Sequence, residues 1–216
     1  MEREKEAAAA AGAALVSEGM RVGLGTGSTV ARLLPLLAAR GLNDVAYVAT
    51  SPETERVARQ LGLNVRPFTS FERLDLAVDG ADQIAPSGWL VKGGGGAHTR
   101  EKVVAAAAER FVVIASSNKL VAELAAPIPL ELMPFGLEST LRLLEAVALR
   151  PAPPTPDGGL LADYLGPVED NSELAARLSQ TPGVVEHGLF APELTSEILV
   201  ATGSSVRTLR PGSRSS

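Results

Sequence analysis

The chain has 216 residues, 45% of them apolar, and no cysteine; it can bury a real core but has neither a disulfide framework nor a thiol nucleophile. Its 20 basic and 25 acidic residues leave a net charge of −5, which disfavours nucleic-acid binding through bulk electrostatics. Two histidines 89 positions apart argue against a zinc site, no apolar run approaches the ~18 residues of a membrane span, and the MEREKE start lacks a secretory h-region, so a soluble cytoplasmic protein is expected.

Residues 2–18, alanine-rich and opened by acids, predict a first helix that Gly19 ends. Arg21 to Leu24 reads as a strand. It runs into the glycine–hydroxyl turn Gly25-Thr26-Gly27-Ser28-Thr29, with Ser28 placed to cap a helix over 29–40. Pro35 falls inside that helix and should kink or split it. Strand, glycine–hydroxyl turn and helix start make a phosphate cradle. It is not a Walker A loop, because GxxxxGK[ST] is absent, and Ser28 stands where GxGxxG has its third glycine. The next strand, 45–49, ends in Thr50-Ser51 where a dinucleotide fold wants an acid, and Glu53 and Glu55 lie inside the helix over 52–61. A terminal sugar phosphate fits this turn better than a dinucleotide. Asn64 to Phe68 reads as a brief third strand, leading to the strand over 74–79. The alternation predicts an α/β fold, a right-handed, mostly parallel sheet with helices on both faces.

The chemistry is expected in 74–102, LDLAVDGADQIAPSGWLVKGGGGAHTREK. The apolar run LDLAV ends at Asp79, Gly80, Ala81 and Asp82. A strand end that opens into such a turn is where α/β proteins keep their sites. Trp89 to Val91 delivers Lys92 into Gly93 to Gly96, and a helix opens near Thr99 with Glu101 in its first turn. Singly, these features read as turn chemistry, a flexible loop and a macrodipole partner. Together they gather three carboxylates and an ammonium beside glycines whose N–H groups a ligand can approach closely. After the helix over 99–109, the strand 111–115 ends at Ser116, and Lys119 just beyond it becomes a candidate anchor for substrate oxygens. From Pro127 the texture changes. A strand-like PIPLELM, a helix over 137–149, a breaker-rich stretch over 150–159, a strand LLADYL, a helix over 169–180 and a strand over 184–190 make a small inserted α+β lobe. EILVAT, 197–202, returns to the main sheet. His187 reads as a lobe strand residue without a role, and the tail 211–216 as disordered. The expected division is 1–125 with 196–216, and 126–195.

DGADQI followed by KGGGGAHTREK resembles the paired signature of type A ribose-5-phosphate isomerases, and GLGTGST at 23–29 matches that family too. Gln83 replaces the usual Glu, and His98 a usually apolar residue. The resemblance implies a Rossmann-like domain with a ferredoxin-like lobe, and metal-free, cofactor-free interconversion of ribose 5-phosphate and ribulose 5-phosphate. It also implies a homo-oligomer, with no nucleic-acid or membrane partner. An aldose–ketose shift needs a base between C1 and C2 and an electrophile for the enediolate. By resemblance Glu101 is the base, its pKa pushed up by burial and down by the helix start and Lys92. Lys92, with the Gly93, Gly94 and Gly95 N–H groups, should hold the oxygen that becomes negative. Asp79 and Asp82, with Gly80 and Ala81 in their turn, should bind sugar hydroxyls and help open the furanose ring. Thr26, Gly27, Ser28 and Thr29 should grip one end of the substrate and Lys119 the other; Lys5 is a weaker candidate for the phosphate. Three alternatives are a non-catalytic sugar-phosphate sensor, an amino-sugar-phosphate deaminase and a CoA-transferase on related folds. A sensor would need a DNA-binding segment ahead of the first strand, where only about 20 residues stand, one helix's worth. An Asp79/Asp82 metal site is a further variant, which full activity in EDTA would exclude.

Overall fold

The computed structural model describes residues 1–211; the disorder expected of the tail concerns, from 212 onward, residues outside that range. The first half runs Glu2–Ala14 (α1), Arg21–Leu24 (β1), Ser28–Ala39 (α2), Ala46–Ala49 (β2), Pro52–Gln60 (α3), Leu74–Asp79 (β3), Gln83–Ile84 (β4), Leu90–Val91 (β5), His98–Ala107 (α4) and Ala108–Ser116 (β6). The second runs Ile128–Leu132 (β7), Leu137–Leu144 (α5), Val147–Leu149 (β8), Leu160–Tyr164 (β9), Asn171–Gln180 (α6), Val184–His187 (β10), Leu189–Phe190 (β11), Glu197–Thr202 (β12) and Ser205–Leu209 (β13).

The main sheet has the order β13-β12-β6-β3-β1-β2. Every pairing in it is parallel except β12 with β13. Period-two alternation builds a core on each face. Val112 and Ile114 of β6, with Leu199 and Ala201 of β12, pack against α1, α2 and α3. Phe111, Val113 and Ala115, with Ile198 and Val200, face α4 and the strand residues Leu90 and Phe190. The chain passes from β1 to β2 on one side and then to β3 on the other, so the strand order reverses between β1 and β3. That reversal opens a crevice at the carboxyl ends of these two strands.

The lobe is a four-stranded antiparallel sheet in the order β10-β7-β9-β8, with α5 and α6 sharing its core of Leu130, Leu144, Leu174 and Leu178. Its β-α-β-β-α-β succession with that spatial order is ferredoxin-like. A third sheet, β11-β5-β4, ties lobe to crevice: Val91 pairs with Leu189 and with Gln83.

Several sequence expectations are corrected. The first helix stops at Ala14, four residues short of the expected end. Pro35 sits within an unbroken α2, held down by its buried Leu33, Leu34 and Leu37. The 64–68 strand reduces to a single bridge between Tyr47 and Val65, because Pro67 cannot donate to a ladder and a 3-10 turn follows at Phe68–Ser70. The 137–149 helix ends at Leu144, where Glu145 takes a positive φ of 61°, and Val147–Leu149 becomes a strand. The 184–190 strand splits at Gly188 between two sheets. There is no room for a side chain there, since a methyl on Gly188 would overlap the Lys92 carbonyl oxygen. The β13 hairpin strand was not anticipated.

Candidate active site

Three parallel strands and one short strand aim their C-terminal turns at the crevice. β1 ends in the Gly25–Thr29 turn. Gly25 N–H donates to the Val78 carbonyl at 3.0 Å and Thr26 N–H to Asp79 Oδ1 at 3.1 Å, welding the turn to β3. A methyl at Gly25 would overlap the Asp79 carboxylate, so only glycine allows this approach. Hydroxyls fasten the other side: Thr54 Oγ1 donates to the Gly25 carbonyl at 2.9 Å, and Thr26 and Thr50 hydroxyls lie 2.9 Å apart. Gly27, at φ 116°, is the helix cap; Ser28 is already helical and no side chain caps α2. The first N–H groups of α2 are thus left to the crevice, together with the positive end of the helix dipole. This corrects the capping role expected of Ser28.

β3 ends at Asp79, and β5 runs directly into Lys92. Both are buried, as is Glu101 on the first turn of α4; each is at most 4% exposed. The Lys92 Nζ donates three hydrogen bonds of 2.8 Å, to Asp79 Oδ2, to the Gly80 carbonyl and to Glu101 Oε2. An ammonium has three N–H groups, so all are engaged. Burial pulls the Lys92 pKa down, but the Asp79 and Glu101 carboxylates outweigh it and hold the group charged. Burial pushes the Glu101 pKa up, Asp79 pushes the same way, and the opposing pull of Lys92 leaves it at about 7. Burial also pushes Asp79 up, yet its oxygens accept from Lys92, Gly80 N–H and Thr26 N–H. These bonds favour its ionised form, against burial, which on balance pushes its pKa up.

A cleft of about 90 Å³ opens over this cluster, lined by Thr26 to Thr29, Gly80 to Asp82, Lys92 to Gly95, Glu101 and Lys119. Every lining residue belongs to the set expected from sequence; of that set Asp79 lies behind the wall and Lys5 away from it. Asp82 is exposed and its Oδ2 accepts the Gly94 N–H at 2.8 Å. A larger cavity of about 750 Å³ flanks the outer side of α4 near Val103, Phe68 and Met133. It contains neither Lys92 nor Glu101, so the charged crevice, though smaller, is the candidate site. Lys5 is not in the cleft wall and pairs with Glu2 at 3.1 Å. Among the described residues no group of three or more His, Asp or Glu side chains could hold a metal ion, and no helix is long and apolar enough to cross a membrane.

Of the two departures from the motif, Gln83 has a hydrogen-bonding role and His98 fills buried space. Gln83 Nε2 donates to the Ala125 carbonyl at 2.7 Å while its Oε1 accepts the Ala125 N–H at 2.8 Å; an amide serves both directions, a carboxylate only one. His98 is fully buried behind Gly93, where an added methyl would meet its Nδ1 at 2.6 Å. Burial lowers its pKa to about 4 against the opposing effect of the Glu186 backbone, and it is neutral.

Sequence reasoning missed several supports. Glu4 on α1 accepts from Ser117 N–H and Oγ at 3.1 and 3.0 Å, bracing the turn that carries Lys119. Lys102, inside the REK motif, donates to Glu186 Oε1 at 2.6 Å and to the His187 carbonyl at 2.7 Å. The next carbonyl, Gly188, accepts the Lys92 N–H at 2.8 Å. His187, expected to be idle, is buried in this network, with Nε2 3.0 Å from Ser179 Oγ. Only Lys102 had a sequence signal, its place in the motif.

A doubly wound sheet with buried acid and ammonium at its switch point, and an uncapped helix start beside them, defines an α/β enzyme acting on a small molecule. A family model described as Ribose 5-phosphate isomerase A (phosphoriboisomerase A) matches residues 46–205. The Caulobacter vibrioides protein named Ribose-5-phosphate isomerase A is 43% identical over 223 residues, covering 96% of this chain and 98% of that one. The solved ribose 5-phosphate isomerase A of Methanocaldococcus jannaschii superposes with a TM-score of 0.89 at 34% identity, covering 95% and 97% of the two chains. A D-ribose-5-phosphate isomerase solved in complex with phospho-erythronic acid gives 0.90 at 30% identity, with 97% and 98% covered. The chain belongs to the ribose 5-phosphate isomerase A family.

Proposed function

We propose that the chain interconverts D-ribose 5-phosphate and D-ribulose 5-phosphate by proton transfer through an enediolate. The observation that carries this reading is the buried Glu101, raised to about 7 and bonded to the Lys92 ammonium at 2.8 Å in the wall of the cleft. A base that must both take and return one proton works best with a pKa near the operating pH.

The substrate phosphate lies against the first N–H groups of α2, the Ser28 and Thr29 hydroxyls and Lys119, with Thr26 and Gly27 shaping the turn; Lys119 is thus read as sharing the phosphate end rather than gripping the opposite end, as expected from sequence. Asp82, at the mouth of the cleft with Gly80 and Ala81, meets the sugar hydroxyls and assists ring opening. Asp79 acts from behind, keeping Lys92 charged and in place. In the open-chain aldose the Glu101 carboxylate takes the C2 proton. The C–H electron pair becomes the C1–C2 double bond, and the carbonyl pair moves onto O1. That oxygen is held by the Gly95 N–H in the field of the Lys92 ammonium, and both matter more as its charge grows. The proton on Glu101 is then delivered to C1 while the O2 proton passes to O1, leaving the ketone at C2 and a hydroxyl at C1. Binding of the remote phosphate supports the chemistry at C1 and C2. No observation favours the sensor, deaminase or transferase alternatives, and family membership favours the isomerase. A cytoplasmic homo-oligomer goes with this reading; light scattering on the purified protein tests the assembly.

Turnover of ribose 5-phosphate in deuterated water tests the chemistry. Ketose carrying deuterium at C1 is expected, with less than full labelling where the shuttle outruns exchange; absence of ketose defeats the reading. Ribose without its phosphate should be a very poor substrate. Equal kcat/KM for the two sugars would remove the phosphate role from the Thr26–Thr29 turn.

A further inference from the structure

The lobe sends one side chain to the glycine run. Arg150 follows β8 directly, and its own N–H donates to the Leu161 carbonyl at 2.9 Å. Its Nε and Nη2 form a two-pronged pair with Asp163 of β9, at 2.9 Å to Oδ2 and 2.6 Å to Oδ1. This fork fixes the guanidinium plane, which a lysine cannot imitate. The remaining arm, Nη1, donates to two successive carbonyls, Gly93 at 3.0 Å and Gly94 at 3.2 Å.

In a trans peptide the carbonyl and the following N–H point in opposite directions. A Gly93 carbonyl drawn toward Arg150 therefore turns the Gly94 N–H the other way, where it meets Asp82 at 2.8 Å. A Gly94 carbonyl drawn the same way turns the Gly95 N–H away from the guanidinium. That N–H has no protein partner among the described residues, and Gly95 lines the cleft. Consecutive glycines have no side chain to hold peptide planes in one setting; here a cation does. It also polarises the amides whose carbonyls it binds, making them better donors on their far side.

We propose that Arg150 is a positioning residue for catalysis: held by Asp163, it fixes and polarises the Gly93-Gly94-Gly95 peptides so that the Gly94 N–H holds Asp82 and the Gly95 N–H meets the oxygen that becomes negative. This rests on the isomerase reading above. It gives the ferredoxin-like lobe a part in the reaction, although Arg150 touches no reacting atom.

The test compares wild type with Arg150→Met, Arg150→Lys and Asp163→Asn, each confirmed as folded by circular dichroism and melting. In R150M, kcat should fall about 100-fold, the scale on which a lost oxyanion donor acts, while KM for ribose 5-phosphate stays within about threefold. The phosphate grip on α2 and Lys119 is untouched. Phospho-erythronic acid, whose carboxylate stands in for the enediolate oxygens, should bind more weakly by a factor close to the loss in kcat. Inorganic phosphate should inhibit wild type and variant alike. R150K and D163N should lie between, since one keeps the charge without the fork and the other keeps the guanidinium without its fixed plane. Wild-type kcat in R150M overturns the proposal. So does a KM or inorganic-phosphate affinity that worsens as much as kcat, which marks a general loosening of the site. Should R150M not fold, wild-type kcat in both R150K and D163N overturns it equally. A wild-type protein that makes no ribulose 5-phosphate defeats the isomerase reading instead, so the two failures are distinguishable.

Discussion

Replacing Glu101 with Gln should make the folded protein more stable at alkaline pH while removing its activity. Glu101 is 4% exposed and its pKa stands at about 7 against an ordinary 4.5. The folded state therefore binds this proton more tightly than the unfolded chain does. The stability linked to it is complete below pH 4.5 and is lost as pH rises through about 7, where the carboxylate must ionise in a buried site beside Asp79. The ionised form costs the folded state roughly 3 kcal/mol. Gln copies the shape of the neutral acid without that cost. Wild type and E101Q should thus melt together near pH 4.5, and at pH 8.5 E101Q should be ahead by roughly 3 kcal/mol. For a chain of this size that is about 6–12 °C in Tm. Urea and thermal melts at the two pH values measure it, with kcat on the same samples. A gap independent of pH, or E101Q the less stable at pH 8.5, would refute the claim that Glu101 is held near neutrality by burial and like charge.

The same group sets the rate profile: kcat/KM should rise with pH and reach half its plateau near pH 7, because the base must be ionised, and an inflection at 4.5 would contradict this. Lys92→Met leaves the buried Asp79 and Glu101 unpaired. It should cost on the order of 3–5 kcal/mol in urea melts at pH 8, most of it recovered when Asp79→Asn and Glu101→Gln are added; no recovery would mean that packing, not charge, was lost. Gly25→Ala drives a methyl into the Asp79 carboxylate and should cost roughly 1–3 kcal/mol of stability with a large fall in kcat. Wild-type kcat there would show that the Asp79 position does not matter.

The crevice was legible in the sequence because its parts are local. Asp79-Gly80-Ala81-Asp82 fall within one turn and Lys92 to Glu101 within one loop and the helix start that follows it, and a loop with that much glycine has few structural excuses. Strand termini were legible where β-branched runs meet glycine, as at Leu24 and Asp79. Less was visible where two distant segments share one job. Arg150 reads as the head of a proline-rich loop, and only the pairing of β8 with β9 brings it beside Asp163. Glu4 reads as an acid at a helix start, although its carboxylate is spent on Ser117 and Gly203. The 137–149 region carries helical spacing to its end; what stops it is the backbone of Glu145 and the demand of β9 for a partner at Val147, neither of which leaves a local mark. Gln83 looked like a lapse from a motif until Ala125 supplied both halves of its amide bond.

The little sheet β11-β5-β4 constrains how this protein can move. Its middle strand carries Lys92, and its outer strands belong one to the main domain and one to the lobe's exit. Phe190, at that exit, lies between two ammonium groups, 5.3 Å from Lys92 and 5.0 Å from Lys102. Swinging the lobe as a rigid jaw would tear the very strand that holds the reactive cation. A lobe tied in this way keeps one setting relative to the cleft, whose exposed side at Asp82 is left as the way in and out for the sugar.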